Sequence, residues 1–135
     1  MSIASHFFVG SLEEAIRNDG LEGGSEDRRA VFYRVMDTGL KPLYRIIAGK
    51  QCPSFEPVAM SEGYDVITFS FPAEFTHSLA AFDLANVDDA VSQWVTDPEC
   101  PYDNGDDLRD MLATLVRLAG AAKFGHGDLY LWNSL

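Results

Sequence analysis

Positive charge is scarce in this sequence. Ten Lys and Arg stand against 21 Asp and Glu, a formal net charge of −11. A surface of that sign repels nucleic acid and anionic membrane, and the one basic doublet, Arg28-Arg29, is too small to reverse it. Long apolar runs are also missing, with nothing near the ~20 residues that span a bilayer. No Lys or Arg precedes the short apolar run Phe7-Phe8-Val9, which argues against a secretory signal. Ser2 does not fit the myristoylation pattern, which needs Gly there. The expected setting is the cytoplasm, in bacterial style. Cysteine is nearly absent: Cys52 and Cys100 each precede a proline and form no C-x-x-C. In a reducing cytosol they read as two free thiols at turns.

Common active sites are missing as well. His6, His77 and His126 stand apart from one another and from both cysteines, so no zinc spacing exists. No G-x-S-x-G, Walker loop or G-x-G-x-x-G occurs. The acidic run "DPECPYDNGDDLRD" fails the calcium-loop pattern, because the sixth position from Asp97 is Tyr102 and from Asp103 is Leu108. The expectation is therefore no metal, no cofactor and no catalytic residue. One tempting pair remains: His126 and Asp128 in "GHGD", where glycines expose an imidazole and a carboxylate orients it.

What is present reads as one α+β domain over residues 1–135, long enough for a real core at 47% hydrophobic content. Ser2 to Val9 reads as a strand. Ser11-Leu12-Glu13-Glu14 is a capping box opening a helix, with Leu12, Ala15 and Ile16 on one face and Gly20 as its stop. "NDGLEGGSED" is a loop. Ala30 to Met36 is β-branched and aromatic and reads as a strand, with a helix capped by Ser25 as the alternative. Thr38 caps a helix to Ala48, with Pro42 in its first turn and Gly49 as its end. Phe55–Met60 and Tyr64–Phe71 flank "SEG" as a hairpin.

Phe75, Leu79 and Phe82 form the stripe of a short helix. Asn86 caps the next, whose stripe is Val87, Ala90, Val91, Trp94 and Val95. The last helix starts near Asp103 or Asn104, carries Leu108, Met111, Leu112, Leu115, Ala119 and Ala122 on one face, and stops at Gly125. In the final strand Leu129, Leu131 and Leu135 point one way and Tyr130 and Trp132 the other. Both faces want cover. The strand therefore belongs inside a small mixed or antiparallel sheet, beside about five helices in all. Helices lie on one side, and another layer of the chain or a second subunit on the other.

The two ends, "SIASHFFVGSLEEA" and "GHGDLYLWNSL" after a long amphipathic helix, resemble a group of small, acidic bacterial proteins of mixed α and β type ending in a G-x-L-Y-x-W strand. That resemblance implies a single domain in the bacterial cytosol. It carries no activity and no site residues.

The acids have an address. Residues 61–110 hold twelve acids against one base, Arg109. This favours a non-enzymatic module that neutralises a basic protein partner, such as an immunity protein against a toxin, because acids in a track attract such a partner over long range. The candidate binding residues are Asp88, Asp89, Glu99, Tyr102, Asp103, Asp106, Asp107 and Asp110. Trp94 is a further candidate anchor, although its place on the apolar stripe argues for the core. The alternative is a small-ligand domain or enzyme with a site near the "GHGD" turn. Monomer and homodimer both remain open.

Overall fold

Ser11 and Glu14 start the first helix by bonding each other. The Glu14 N–H donates to Ser11 Oγ at 3.1 Å, and the Ser11 N–H donates to Glu14 Oε1 at 3.0 Å. This is the reciprocal cap that the spacing predicts. In the computed structural model, which describes residues 4–17, 28–61, 63 and 65–134, the cap links β1 (Ala4–Gly10) to α1 (Leu12–Arg17). The face expected of α1 is only partly right: Ala15 is buried, but Leu12 and Ile16 are each 53% exposed. Gly20, Ser25 and the loop of 18–27 lie outside the described residues.

β2 (Arg29–Tyr33) is a strand, as its β-branched and aromatic content indicates. α2 (Asp37–Ala48) starts one residue before Thr38, and its first turn has no side-chain cap. Thr38 is therefore inside the helix, and Pro42 falls in the second turn. Leu40, Leu43 and Tyr44 are fully buried along this helix. Gly49 ends it at φ 74°, with its N–H on Arg45 O at 2.9 Å. β3 (Glu56–Met60) and β4 (Val66–Ser70) form the expected hairpin. α3 (Ala73–Ala80) buries Phe75 and Leu79.

The cap expected at Asn86 is displaced. Asp83 accepts from the Ala85 N–H at 2.9 Å and opens a short 3-10 turn, Leu84–Asn86, which runs directly into α4 (Val87–Trp94). Asn86 makes no side-chain cap because its backbone already belongs to that turn. α5 (Gly105–Ala121) is capped by Asn104, whose Oδ1 accepts from the Asp106 N–H at 2.8 Å. It ends through a wide turn in which Gly125 has φ 89°. β5 (Asp128–Ser134) follows.

The strands form one antiparallel sheet in the order β2-β1-β5-β4-β3. The last strand is therefore the middle one. It pairs with β1 from Ala4↔Ser134 to Gly10↔Asp128, and with β4 from Val66↔Ser134 to Ser70↔Tyr130. At the turn into β5, a Cβ on Gly127 would run into the Gly10 carbonyl, so only glycine fits there. Both edges resist further pairing. The Tyr102 hydroxyl donates to Tyr33 O at 2.7 Å and accepts from the Tyr33 N–H at 3.3 Å, which closes that end of β2. β3 carries Pro57 and a bulge beside it.

One face of the sheet holds Phe7, Val9, Leu129 and Leu131, all in the main core. α5 lies against β1, β2 and β5, α3 and α4 pack on α5, and α2 packs on α3 and α4. Trp94 is fully buried and donates to Gly39 O at 3.0 Å, which ties α4 to α2. The opposite face holds a smaller cluster, in which Ala15 of α1 covers Phe8 and Tyr130. The second cover for β5 thus comes from this chain's own α1.

A buried polar knot locks the sheet at the end where β1 begins and β5 finishes. Asn133 Nδ2 donates to Ser5 Oγ at 3.0 Å and to Val35 O at 2.8 Å; Ser5 Oγ donates to Val35 O and accepts from the Val35 N–H, both at 2.9 Å. Ser5 and Asn133 are fully buried, so losing one partner strands the others at roughly 1–3 kcal/mol per group. Truncation after Leu131 removes Asn133 and the end of the central strand. A chain ending at Leu131 is expected to lose its cooperative thermal transition in far-UV circular dichroism. An unchanged melting temperature would show that β5 is not the keystone.

Candidate functional site

The acids gather where two helices begin. α4 opens with Asp88 and Asp89, and α5 with Asp106 and Asp107, each set complementing the positive end of its helix. Arg109 joins the two starts: its Nε bonds Asp88 Oδ1 and its Nη1 bonds Asp106 Oδ1, both at 2.8 Å. These two hydrogen bonds raise the Arg109 guanidinium further above its ordinary range. The one base of the acidic segment therefore compensates two of its acids.

The other candidates separate into distinct surroundings. Asp103, Asp107 and Asp110 line a groove of about 360 Å³ along the edge strand, opposite Val31 and Tyr33 and with Arg34 at one side. Val31 and Tyr33 are 50% and 56% exposed, and alternation along β2 sets their side chains on the sheet face that carries His6, opposite α5. Tyr102 lies in the same groove, but its hydroxyl is committed to Tyr33. Burial raises its phenol above the ordinary tyrosine range, and Asp107 adds to the rise. Asp89 lies in a different groove with Phe82 and Asp83. Glu99 lines a third cleft with Lys41, Arg45 and Cys52. Trp94 has no exposed surface and drops out as an anchor.

Two acids outside the candidate set have defined structural roles. Asp97 pairs with Arg45 at 2.9 Å, and Asp83 caps the turn before α4. The signal for Asp83 was present in "FDLAN", an Asx cap two residues before a helix former. The "GHGD" turn, an alternative site in the sequence, borders a cleft of about 250 Å³ whose lining includes residues not expected there: Ser70, Thr76, His77 and Lys123, with Asp128. His77, a lone histidine in sequence, thus meets Lys123 and Asp128 in space. No group of His, Cys, Asp and Glu able to hold a metal exists among the described residues.

The cysteines are both free and half-buried. Burial pushes the Cys52 thiol up to about 11, against a smaller opposing pull from Lys41. Burial also raises Cys100. Neither has the depressed thiol of a nucleophile. None of the described helices is long and apolar enough to cross a membrane.

No protein-family model, no curated protein and no solved structure matches the chain. The fold and its surfaces define the class: a small single-domain α+β protein with an acidic helical end.

On the sheet's second face, His6 stacks edge-on against Trp132 at 4.8 Å between ring centroids. Burial lowers the His6 pKa, and Arg29 lowers it further. The folded state therefore favours neutral His6, while the unfolded chain takes up a proton near pH 6.5. That contribution is fully present above pH 6.5 and is lost as pH falls through the lower folded value. The urea midpoint of the wild type is expected to drop more between pH 7.5 and pH 5 than that of His6→Gln. Equal drops would remove His6 from the pH response.

Proposed function

We propose that this protein is a non-enzymatic binding module that neutralises a basic protein partner, such as an immunity protein against a toxin. The observation that carries this reading is the array of Asp103, Asp107 and Asp110 gathered with Tyr102 in one groove along the β2 edge. An acidic groove suits a basic protein surface, because the acids steer encounter and fix its orientation. The groove is uneven. Arg34 stands at one side of it, and Asp106 is already held by Arg109. The neighbouring Asp88 is held likewise, so the free acids define a direction of approach along β2.

The test compares the wild type with the triple variant Asp103→Lys, Asp107→Lys, Asp110→Lys. All three positions are exposed, and the Asn104 cap is kept. Each protein is immobilised, exposed to lysate of the native host at low salt, and washed at high salt. The wild type is expected to retain a basic protein in stoichiometric amount and release it with salt. The variant should bind the purified partner with an association rate more than about tenfold slower. Equal rates for the two proteins would reject the acidic face.

A second reading rests on the cleft at the "GHGD" turn. Lys123 offers positive charge there, His77 a ring N–H, and Ser70 and Thr76 hydroxyls, with Asp128 on the other side of the cleft. This suits a small anionic ligand in a protein otherwise hostile to anions. A thermal-shift screen with inorganic phosphate and small carboxylates is expected to give a saturable rise that His77→Ala with Lys123→Ala abolishes. A rise of the same size in the double variant would assign the effect to bulk salt.

A further inference from the structure

α2, α3 and α4 border an open surface groove of about 510 Å³ that the acidic-face reading does not use. Its volume is within the ~300–1,000 Å³ usual for ligand clefts. Ile46 and Ile47 of α2 and Phe82 after α3 supply half-buried apolar walls. Asp83 and Asp89 supply exposed carboxylates, and no Lys or Arg is among the lining residues. The carboxylates keep acceptor capacity. Asp83 Oδ1 accepts only the Ala85 N–H, and Asp89 Oδ2 accepts a long contact of 3.5 Å from Gln93. Among the described residues neither has a cationic partner, whereas Asp88 next door is bound to Arg109.

Apolar walls with two uncompensated acids complement one kind of side chain, a long aliphatic stem with a cationic head. An aromatic ring in the wall narrows the choice. Guanidinium stacks on a ring face and forks to carboxylates, while ammonium is a hydrated point charge. We propose that this groove is a seat for an arginine side chain projecting from a basic partner protein. The stem lies along Ile46 and Ile47, the guanidinium plane lies against Phe82, and Asp83 and Asp89 accept its N–H groups. This deepens the basic-partner reading and rests on it, but it places an anchor away from the β2 edge. A partner touching both places is steered by one and held by the other.

The test is a ¹H–¹⁵N correlation titration of the full chain at low salt with N-acetyl-arginine amide. N-acetyl-citrulline amide, planar and uncharged, is the control. Arginine is expected to give saturable shifts centred on Phe82, Asp83, Asp89 and Gln93, and citrulline none that saturate. In Asp83→Asn with Asp89→Asn the arginine affinity should fall roughly fivefold, the effect of losing two surface charge pairs. Asn at position 83 still accepts from the Ala85 N–H, so the turn survives. Equal shifts with citrulline, or no saturable shift in the groove, would overturn the seat. Shifts confined to residues 103–110 would overturn it while leaving the acidic face intact. Groove binding together with a charge-reversed β2 edge that associates at the wild-type rate would remove the acidic face alone.

Discussion

Everything in this fold hangs on the pairing of its two terminal strands. β1 and β5 run antiparallel over seven residues each, and the partners are separated by most of the chain. Closing so long a loop is costly in entropy, although the cost grows only slowly with length. The return is a central strand with hydrogen-bonded neighbours on both sides and apolar cover on both faces. The Asn133–Ser5–Val35 knot fixes the register at one end. The close approach of Gly127 to Gly10 fixes it at the other. A slip of one residue would turn Leu129 and Leu131 out of the core and Tyr130 into it.

That central position decides where everything else goes. Four helices occupy one face, so their starts and turns form a surface of their own. Among the described residues α1 is the helix that covers the other face, and it leaves Leu12 and Ile16 open. Because α4 and α5 begin close enough for Arg109 to bridge them, their first-turn acids collect at one end of the helical layer. The helix dipoles favour acids at those positions whatever the partner. Dipoles do not account for Asp110, one turn further along α5, or for Asp103 before it. Those two extend the acids along the β2 edge.

The sequence spoke clearly where local chemistry is self-contained. The box at Ser11 and Glu14, the αL stop at Gly49 and the cap at Asn104 need only neighbours, and each is where the pattern put it. The alternation in β5 and the stripe of α5 marked the core for the same reason. The reading failed where two local solutions compete. Asn86 is a good cap, but Asp83 starts a turn three residues earlier and takes the role. Thr38 is a good cap, but α2 begins ahead of it without one, its start held by burial of Leu40 and Leu43. The grouping of the acids lay beyond reach, because it depends on which helix starts meet and on where Tyr102 fastens the loop to β2. Adjacent residues such as Asp88 and Asp89 face different surroundings, and only tertiary structure separates them.

The few cations show how the acidic surface is left unbalanced. Lys41 faces Asp37, Arg45 faces Asp97, Arg17 faces Glu13, and Arg109 holds Asp88 and Asp106. Each of these bases is matched locally, mostly on its own helix or the next. Exposed pairs of this kind add little stability, typically under ~1 kcal/mol each. Their larger effect is on the field. A base tied to neighbouring acids cancels them at short range and does nothing for acids a Debye length away. Among the described residues, Asp83 and Asp89 have no cationic partner, and Arg34 is the one base in the groove of Asp103, Asp107 and Asp110, so acids dominate the potential over both. Self-repulsion among them opposes compaction of the fold. A basic partner of the kind proposed would relieve that repulsion as it bound, so the imbalance that opposes compaction would favour such a complex.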